Sequence, residues 1–385
     1  MITRILPILL LLLLVPAFAI VRVELRQLRQ PLRRRLQWGA MLPALVLSIA
    51  LCATAFHESY TPAADRWKGL LMAATLLVLV PQTLYALLLL LPARRNVWMR
   101  GMRLGICVVV FGVMLYGFTL GWRRITVVQT NVPVAGLPRA FDGYRLVHIS
   151  DLHLGTWVGH EEVFLRLCDS IAALQPDLIV FTGDLVNYKP SELDTFRKLL
   201  PRLQARDGVV SVLGNHDYLS YFRWPSSADS IRAIEAVQTA QREAGYRLLL
   251  NEHLIVRRRA DSLVVVGLEN DGPPRFPALA DLPKALDGIA PNSCCIYLQH
   301  DPSYWRRALL KQQRLAPLML AGHTHAMQLR LFGWSPAAWF YPEWGGLYAE
   351  GQQRLFVSTG IGSVMMPFRL GAWPEIDLLV LKSEP

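Results

Sequence analysis

The chain has 385 residues, 53% of them hydrophobic and 18% charged, with a formal net charge of +11. It is too apolar for an ordinary soluble protein. The charge resembles a nucleic-acid signal, but fifteen Lys and Arg face three acids up to residue 125, whereas 25 face 26 beyond it. The basic excess therefore speaks to membrane topology and anionic headgroups, and no nucleic-acid binding is expected.

Four apolar runs come first: Ile5–Val21, Gly39–Phe56, Gly69–Leu91 and Met102–Trp122. A crossing helix needs about 20 apolar residues for a hydrocarbon core of about 30 Å. The last two runs meet this outright, and the first two are near the lower limit. Pro16, Pro43 and Pro81 interrupt runs, which membrane helices tolerate. Arg22, Arg26, Arg29, Arg33, Arg34 and Arg35 fill the first loop. Arg94, Arg95 and Arg100 fill the third, with Arg103 at its edge. The second holds Arg66 and Lys68 beside Glu58 and Asp65. Positive loops stay in the cytoplasm. Four spans then give a multi-pass protein of the cell inner membrane, with its C-terminal part on the periplasmic or extracellular face. Arg4, an apolar stretch and Ala17-Phe18-Ala19 also fit a cleaved signal peptide. Cleavage would place the Arg-rich first loop outside, against the charge rule, so a retained helix is the reading adopted. No residue in the runs reads as clearly intramembrane and ionisable.

The expected domains are a transmembrane region over 1–125 and a second domain over 126–385, long enough for one large core. Residues 126–140, with Pro133 and Pro138, read as a joining linker of about 15 residues. Beyond it, strands are predicted at Arg145–Ile149, Asp177–Thr182, Val209–Leu213, Ser262–Gly267, Cys295–Gln299, Pro317–Ala321, Leu355–Ser358 and Ile376–Leu381. Helices are predicted at Glu161–Leu174, Ser191–Ala205 and Ile231–Ala244. The alternation implies α/β layering. The run Arg257-Arg258-Arg259 reads as a strand end or loop. Cys52, Cys107, Cys168, Cys294 and Cys295 form no CxxC and imply no disulfide framework.

The informative polar residues follow predicted strands. They are Asp151 and His153, then Asp184, then Asn215, His216 and Asp217, then His300 and Asp301, then His323 and His325. In open α/β sheets ligands bind at the carboxyl ends of strands, so five strands deliver these groups to one sheet edge. Carboxylate, amide and imidazole without thiolate suit Mn, Fe, Zn or Co. The pairs Asp151/His153 and His323/His325 are spaced to present both members from one turn.

D-x-H, GD, GNHD, an isolated His and GHTH, in this order, resemble the calcineurin-like metallophosphoesterases. The stretch from Val147 to Gly155 is similar to the bacterial branch with N-terminal membrane segments. So are Gly360-Ile361-Gly362, Pro367-Phe368-Arg369 and Pro374-Glu375-Ile376. The resemblance covers residues 126–385 and implies a β-sandwich flanked by helices, preceded by the α-helical transmembrane region. It implies two divalent metal ions, the first held by Asp151, His153 and His325 and the second by Asn215, His300 and His323, with Asp184 bridging. His216 would lie beside the substrate phosphate, oriented by Asp217. A metal pair clamps phosphoryl oxygens for in-line attack, and a protonated His216 can serve the leaving oxygen. The chain departs from the family at Asn187, where a second acid is common. That puts metal affinity or loop anchoring in doubt. It departs again at Ala326-Met327-Gln328, where small residues are common, which bears on substrate choice.

The implied activity is metal-dependent hydrolysis of a phosphomonoester, phosphodiester or pyrophosphate bond, with a lipid-linked or nucleotide phosphate as substrate and the bilayer as partner. The alternatives are a catalytically silent membrane sensor or scaffold and a small transporter with a soluble appendage. His57, His148, His160 and His253 read as structural, and Asp301 as a cap or supporting partner. Arg369 reads equally as a phosphate contact or an ion-pair partner of Glu375 or another acid. Trp334, Trp339, Phe340, Tyr341 and Trp344 read equally as buried core or as a membrane- or substrate-facing lip.

Overall fold

The computed structural model describes residues 2–27, 29–55, 62–91, 96–274, 276–312 and 316–384. His57, Glu58, Arg94 and Arg95 lie outside the described residues. Contacts divide the chain into two compact units, 1–120 with 365–368, and 121–364 with 369–385.

The first unit contains α1 (Ile2–Val23), α2 (Leu32–Ala55), α3 (Pro62–Leu88) and α4 (Val97–Thr119). Each includes a stretch long and apolar enough to cross a membrane. Leu13, Ala17, Ala44, Leu51, Met72 and Leu79 pack inside. Ile49, Leu104, Val108 and Val109 point outward and are exposed. Helices apolar on every face call for a bilayer rather than water, so the chain is a membrane protein. Phe368, on the short C-terminal segment of this unit, stacks on Phe118 at 4.7 Å. Arg103, expected at the edge of the third loop, lies within α4 and is fully buried.

The second unit is a sandwich of two six-stranded sheets. Its elements in chain order are β1 (Thr126–Val134), β2 (Arg145–Ile149), α5 (Glu161–Ala173), β3 (Leu178–Phe181), β4 (Val209–Ser211), α6 (Ser227–Glu243), β5 (Arg247–Leu248), β6 (Glu252–Arg258), β7 (Asp261–Gly267), α7 (Leu282–Ala285), β8 (Cys295–Leu298), α8 (Ser303–Arg307), β9 (Leu318–Ala321), β10 (Gly346–Glu350), β11 (Gln353–Val357) and β12 (Glu375–Ser383). One sheet has the order β1-β12-β2-β3-β4-β5, the other β10-β11-β9-β8-β7-β6. Alternate residues of each strand face opposite ways. Leu146, Leu178 and Val180 therefore meet Val265, Ile296 and Leu320 between the sheets. Val147, Ile179 and Phe181 pack outward with Val163, Leu167 and Ile171 of α5. Val266, Tyr297 and Met319 cover the other outer face, with Trp305 of α8. Both faces of the central strands are buried, which is why they read as continuous apolar runs.

Three sequence expectations change. The supposed linker is β1, paired in parallel along β12 from Thr126↔Glu375 to Val134↔Ser383. As an edge strand it accommodates Pro133. The helix expected at Ser191–Ala205 is instead two short 3-10 turns, Pro190–Leu193 and Leu200–Arg202. Pro201 lacks the N–H that a helix interior requires. β5, β6 and β10 were not anticipated; they are short or carry polar residues that hide the alternation. The Arg257–Arg259 run ends the β6–β7 hairpin, and Arg258 bonds Asp177 at 2.7 Å. All five cysteines are free.

Candidate metal centre

β2, β3 and β4 run parallel in one sheet, and β8 and β9 run parallel in the other. Their carboxyl ends release the loops that carry Asp151 and His153, Asp184, Asn215 to Asp217, His300, and His323 and His325. These loops turn sharply. Asp151, His153, Asp184, His323 and His325 all have φ between 43° and 75°. Non-glycine residues rarely occupy this region, and such strain gathers at functional sites. The glycine of GHTH is needed for closeness: a Cβ on Gly322 would run into Ser150 and Asp151.

The side chains converge. Asp151, His153 and His325 place one ligand atom each within 4.8 Å of one another. So do Asp151, Asp184 and His300, and so do His153, Asp184 and His216. His325 Nε2 lies 3.2 Å from Asp151 Oδ1 and 3.1 Å from His153 Nε2. His153 Nε2 lies 3.5 Å from Asp184 Oδ2, and His300 Nε2 lies 3.1 Å from the same oxygen. His323 Nδ1 is 2.8 Å from Asn215 Oδ1 and 3.3 Å from His300 Nε2. All seven expected ligands thus form one continuous cluster.

The donor set fits divalent cations. Asp151 and Asp184 are buried, yet among the described residues their ion-pair partners are histidines only, with no Lys or Arg. Buried carboxylates need a positive partner. Several second nitrogens are already fixed, as metal-binding histidines require. His300 Nδ1 donates to the Thr182 carbonyl at 2.7 Å, which leaves Nε2 for the centre. His323 Nε2 meets the Tyr341 hydroxyl at 2.7 Å, which leaves Nδ1. His153 Nδ1 has no hydrogen-bond partner among the described residues, and His325 is held differently again. Arg369 Nη2 approaches its Nδ1 at 3.1 Å and can only donate, so the ring proton sits on Nε2, toward Asp151. A cation at Nε2 must displace that proton.

The electrostatics follow. Burial drives His153 well below the ordinary imidazole value and lowers His323. Burial also opposes charge on His300, but Asp184 outweighs it and pushes the imidazole up to about 10. Burial would raise Asp151, yet His325, His300 and His153 hold its carboxyl well below the usual range. Asp184 is lowered in the same way, chiefly by His300.

His216 Nδ1 donates to the Asn187 carbonyl at 2.7 Å, and its ring lies 4.4 Å from that of Tyr221. The expectation that Asp217 orients His216 is corrected. Asp217 instead accepts N–H bonds from Asp184 and Leu185 at 2.8 Å, Gly214 at 3.0 Å and Val186 at 3.3 Å. It ties the GD loop to the GNHD loop. Asn187 leaves no gap in loop anchoring, because Glu192 accepts from the backbone of Gly155, Asn187, Tyr188 and Lys189 at 2.6–3.1 Å. Sequence reasoning missed Glu192 and Tyr221, which act through folded neighbours and belong to no motif, and it read Tyr341 only as one of an aromatic cluster, not as the partner of His323. Among the described residues Arg369 makes no close ion pair, although Asp151 and Glu375 act on it electrostatically. It is fully buried and donates to the carbonyls of Gly362, Thr359 and Ala372 as well as meeting His325. Asp301 Oδ1 accepts from Ser303 N at 2.9 Å, as a cap. His148 bonds Thr182, and His253 bonds the Ala285 carbonyl. His160 meets Arg123.

The sheets, the strand-end loops and the cluster form one candidate metal site on a two-sheet fold. Residues 144–327 match the calcineurin-like phosphoesterase family, and the domain belongs to it. The chain is 31% identical over 276 residues to a transmembrane protein with metallophosphoesterase domain from Danio rerio, covering 70% of this chain and 60% of that one. It is 27% identical to the metallophosphoesterase YkuE of Bacillus subtilis, covering 71% of this chain and 93% of that one. The chain thus spans about six tenths of the length of the vertebrate relatives it matches.

Proposed function

We propose that the chain is a membrane-anchored hydrolase of phosphoric esters, in which Asp151, His153 and His325 hold one divalent cation, Asn215, His300 and His323 a second, and Asp184 both. The observation that carries this is the convergence of these seven side chains, from five strand ends, around two buried carboxylates that pair with no Lys or Arg among the described residues. Two such ions supply Lewis-acid polarisation of the phosphoryl group and a nucleophile at neutral pH. The protein supplies orientation: His300 and His323 are fixed through their second nitrogens, and Asp217 locks two of the loops together. His216 keeps Nε2 free and serves as the proton donor to the leaving oxygen. The test is metal content and turnover of the purified chain reconstituted with Mn, Fe, Zn or Co. About two ions per chain and hydrolysis of a phosphate ester are expected. Full loading without turnover on any phosphate would leave the sensor or scaffold reading in its place.

The substrate is a lipid-linked phosphate. Trp339 is 73% exposed, Phe340 69% and Phe332 fully, with Trp334 beside them. These residues lead directly into Tyr341, which touches His323. Exposed aromatics of this kind suit a bilayer interface or a lipid tail. Replacing Trp339 and Phe340 with Ser should depress hydrolysis of vesicle-embedded phosphates and spare a small soluble aryl phosphate. Equal loss on both would remove the lipid argument. The arginine-rich first and third loops support a catalytic domain on the periplasmic or extracellular face of the inner membrane. A C-terminal alkaline phosphatase fusion should therefore be active.

A further inference from the structure

Within the first unit, Glu24, just past the end of α1, faces the first turns of α4. Arg100 Nε lies 2.6 Å from Glu24 Oε1. Arg103, one turn on along the same helix face, is fully buried, and its Nη1 reaches only to 3.8 Å from Glu24 Oε2. None of its three nitrogens has a hydrogen-bond partner among the described residues. Tyr85 of α3 lies within electrostatic reach of all three charges. Two guanidinium groups thus approach one carboxylate, and Arg103 makes the longer contact. An ionised side chain within a membrane segment is costly unless matched, and such a residue marks a binding or transport site by default. The planar fork of an arginine favours a phosphate. Arg103 lies about 9 Å along α4 from its first residue, at 1.5 Å per residue. Arg100 is 28% exposed and gives the entry. Arg22, Arg26 and Arg29, all exposed, flank Glu24 in the chain at the same end of the bundle.

We infer that Arg103 and Arg100 form a binding site for the phosphate of an anionic phospholipid headgroup, whose oxygens supply the acceptors that the buried Arg103 guanidinium does not find among the described residues. A phosphodiester brings both those acceptors and a negative charge. Basic pockets between membrane helices recognise headgroups in this way. The site is separate from the metal centre and does not depend on the substrate.

The test uses the full chain in maltoside micelles with short-chain phosphatidylglycerol, phosphatidylcholine or inorganic phosphate, followed by thermal melting and by native mass spectrometry of retained lipid. Phosphatidylglycerol should raise the melting temperature saturably and remain bound, and phosphatidylcholine should not. Arg103→Gln should weaken the apparent affinity at least tenfold. Glu24→Gln removes the competing carboxylate and should bind phosphatidylglycerol several-fold more tightly. An equal response to inorganic phosphate would keep the anion site and overturn the lipid as its source. If Arg103→Gln fails to fold, Glu24→Gln decides: unchanged or weaker lipid binding would make the cluster a purely structural ion pair and overturn the proposal.

Discussion

Both units bury charge, but they do so differently. In the sandwich, buried carboxylates face imidazoles, and Asp217 and Glu192 are each met by several backbone N–H groups. In the helical unit one guanidinium, that of Arg103, is met by a single carboxylate at 3.8 Å. The difference reflects how each unit presents polar backbone. Strand-end loops release N–H and C=O groups that can satisfy a buried side chain, whereas membrane helices have already paired theirs internally. A buried charge in the sandwich can be satisfied by the fold itself. One in the helices must find a side chain or a ligand.

The comparison breaks most visibly if the sandwich cluster survives loss of its central carboxylate. Asp184→Ala should lose metal and activity together, by more than the roughly 10–100-fold that loss of a supporting partner costs. Metal analysis and turnover read this directly. His216→Ala should keep its metals while turnover falls about 10²–10⁴-fold, more for alkyl than for activated aryl phosphates. Loss of metal in this variant would make His216 a ligand, as its approach to His153 and Asp184 also allows.

Tyr341→Phe sharpens the comparison at a single supporting hydroxyl. It should lower metal affinity about 10–100-fold, with turnover recovered at saturating metal. Protons compete at the same centre. His300 is held protonated up to about 10, mainly against burial by Asp184, and must be neutral to bind. Raising the pH removes the competing proton. Metal affinity should therefore increase with pH, about tenfold per unit for each proton released, until about pH 10. Affinity titrations between pH 6 and 9 check the slope, and a flat or falling profile contradicts it. The smallest effect on chemistry is expected at Asp217→Asn. It puts an NH₂ or a weaker acceptor against four N–H groups and should cost roughly 1–3 kcal/mol of stability. The folded fraction should keep its turnover, measured against melting temperature. A specific loss of turnover would restore the idea that Asp217 acts through His216.

The candidate ligands were legible in the sequence because each follows a short apolar strand, and all but His300 have a glycine within a few residues, so local chemistry and position coincide. The same holds for the four apolar helices, whose length alone answers to a bilayer. The exposed aromatics were visible as residues, but whether they formed core or surface was not. Exposure is decided by what packs over them, and Trp339 and Phe340 remain open.

By itself, the sequence determined the two-part organisation of apolar helices before an α/β sandwich, and it determined the identity of the seven candidate ligands. Periodicity, turn residues and donor chemistry are local properties. Only the tertiary structure decided that residues 126–134 join a sheet beside β12, that Asp217 holds loops rather than His216, that Glu192 takes up the anchoring left open by Asn187, and that Arg103 is buried beside Glu24. Asp217, Arg103 and β1 depend on partners far away in the chain, from about 30 residues for Asp217 to about 250 for β1, and Glu192 joins its own turn to Gly155, 37 residues back. No local pattern specifies which distant backbone or side chain will arrive to satisfy a buried polar group.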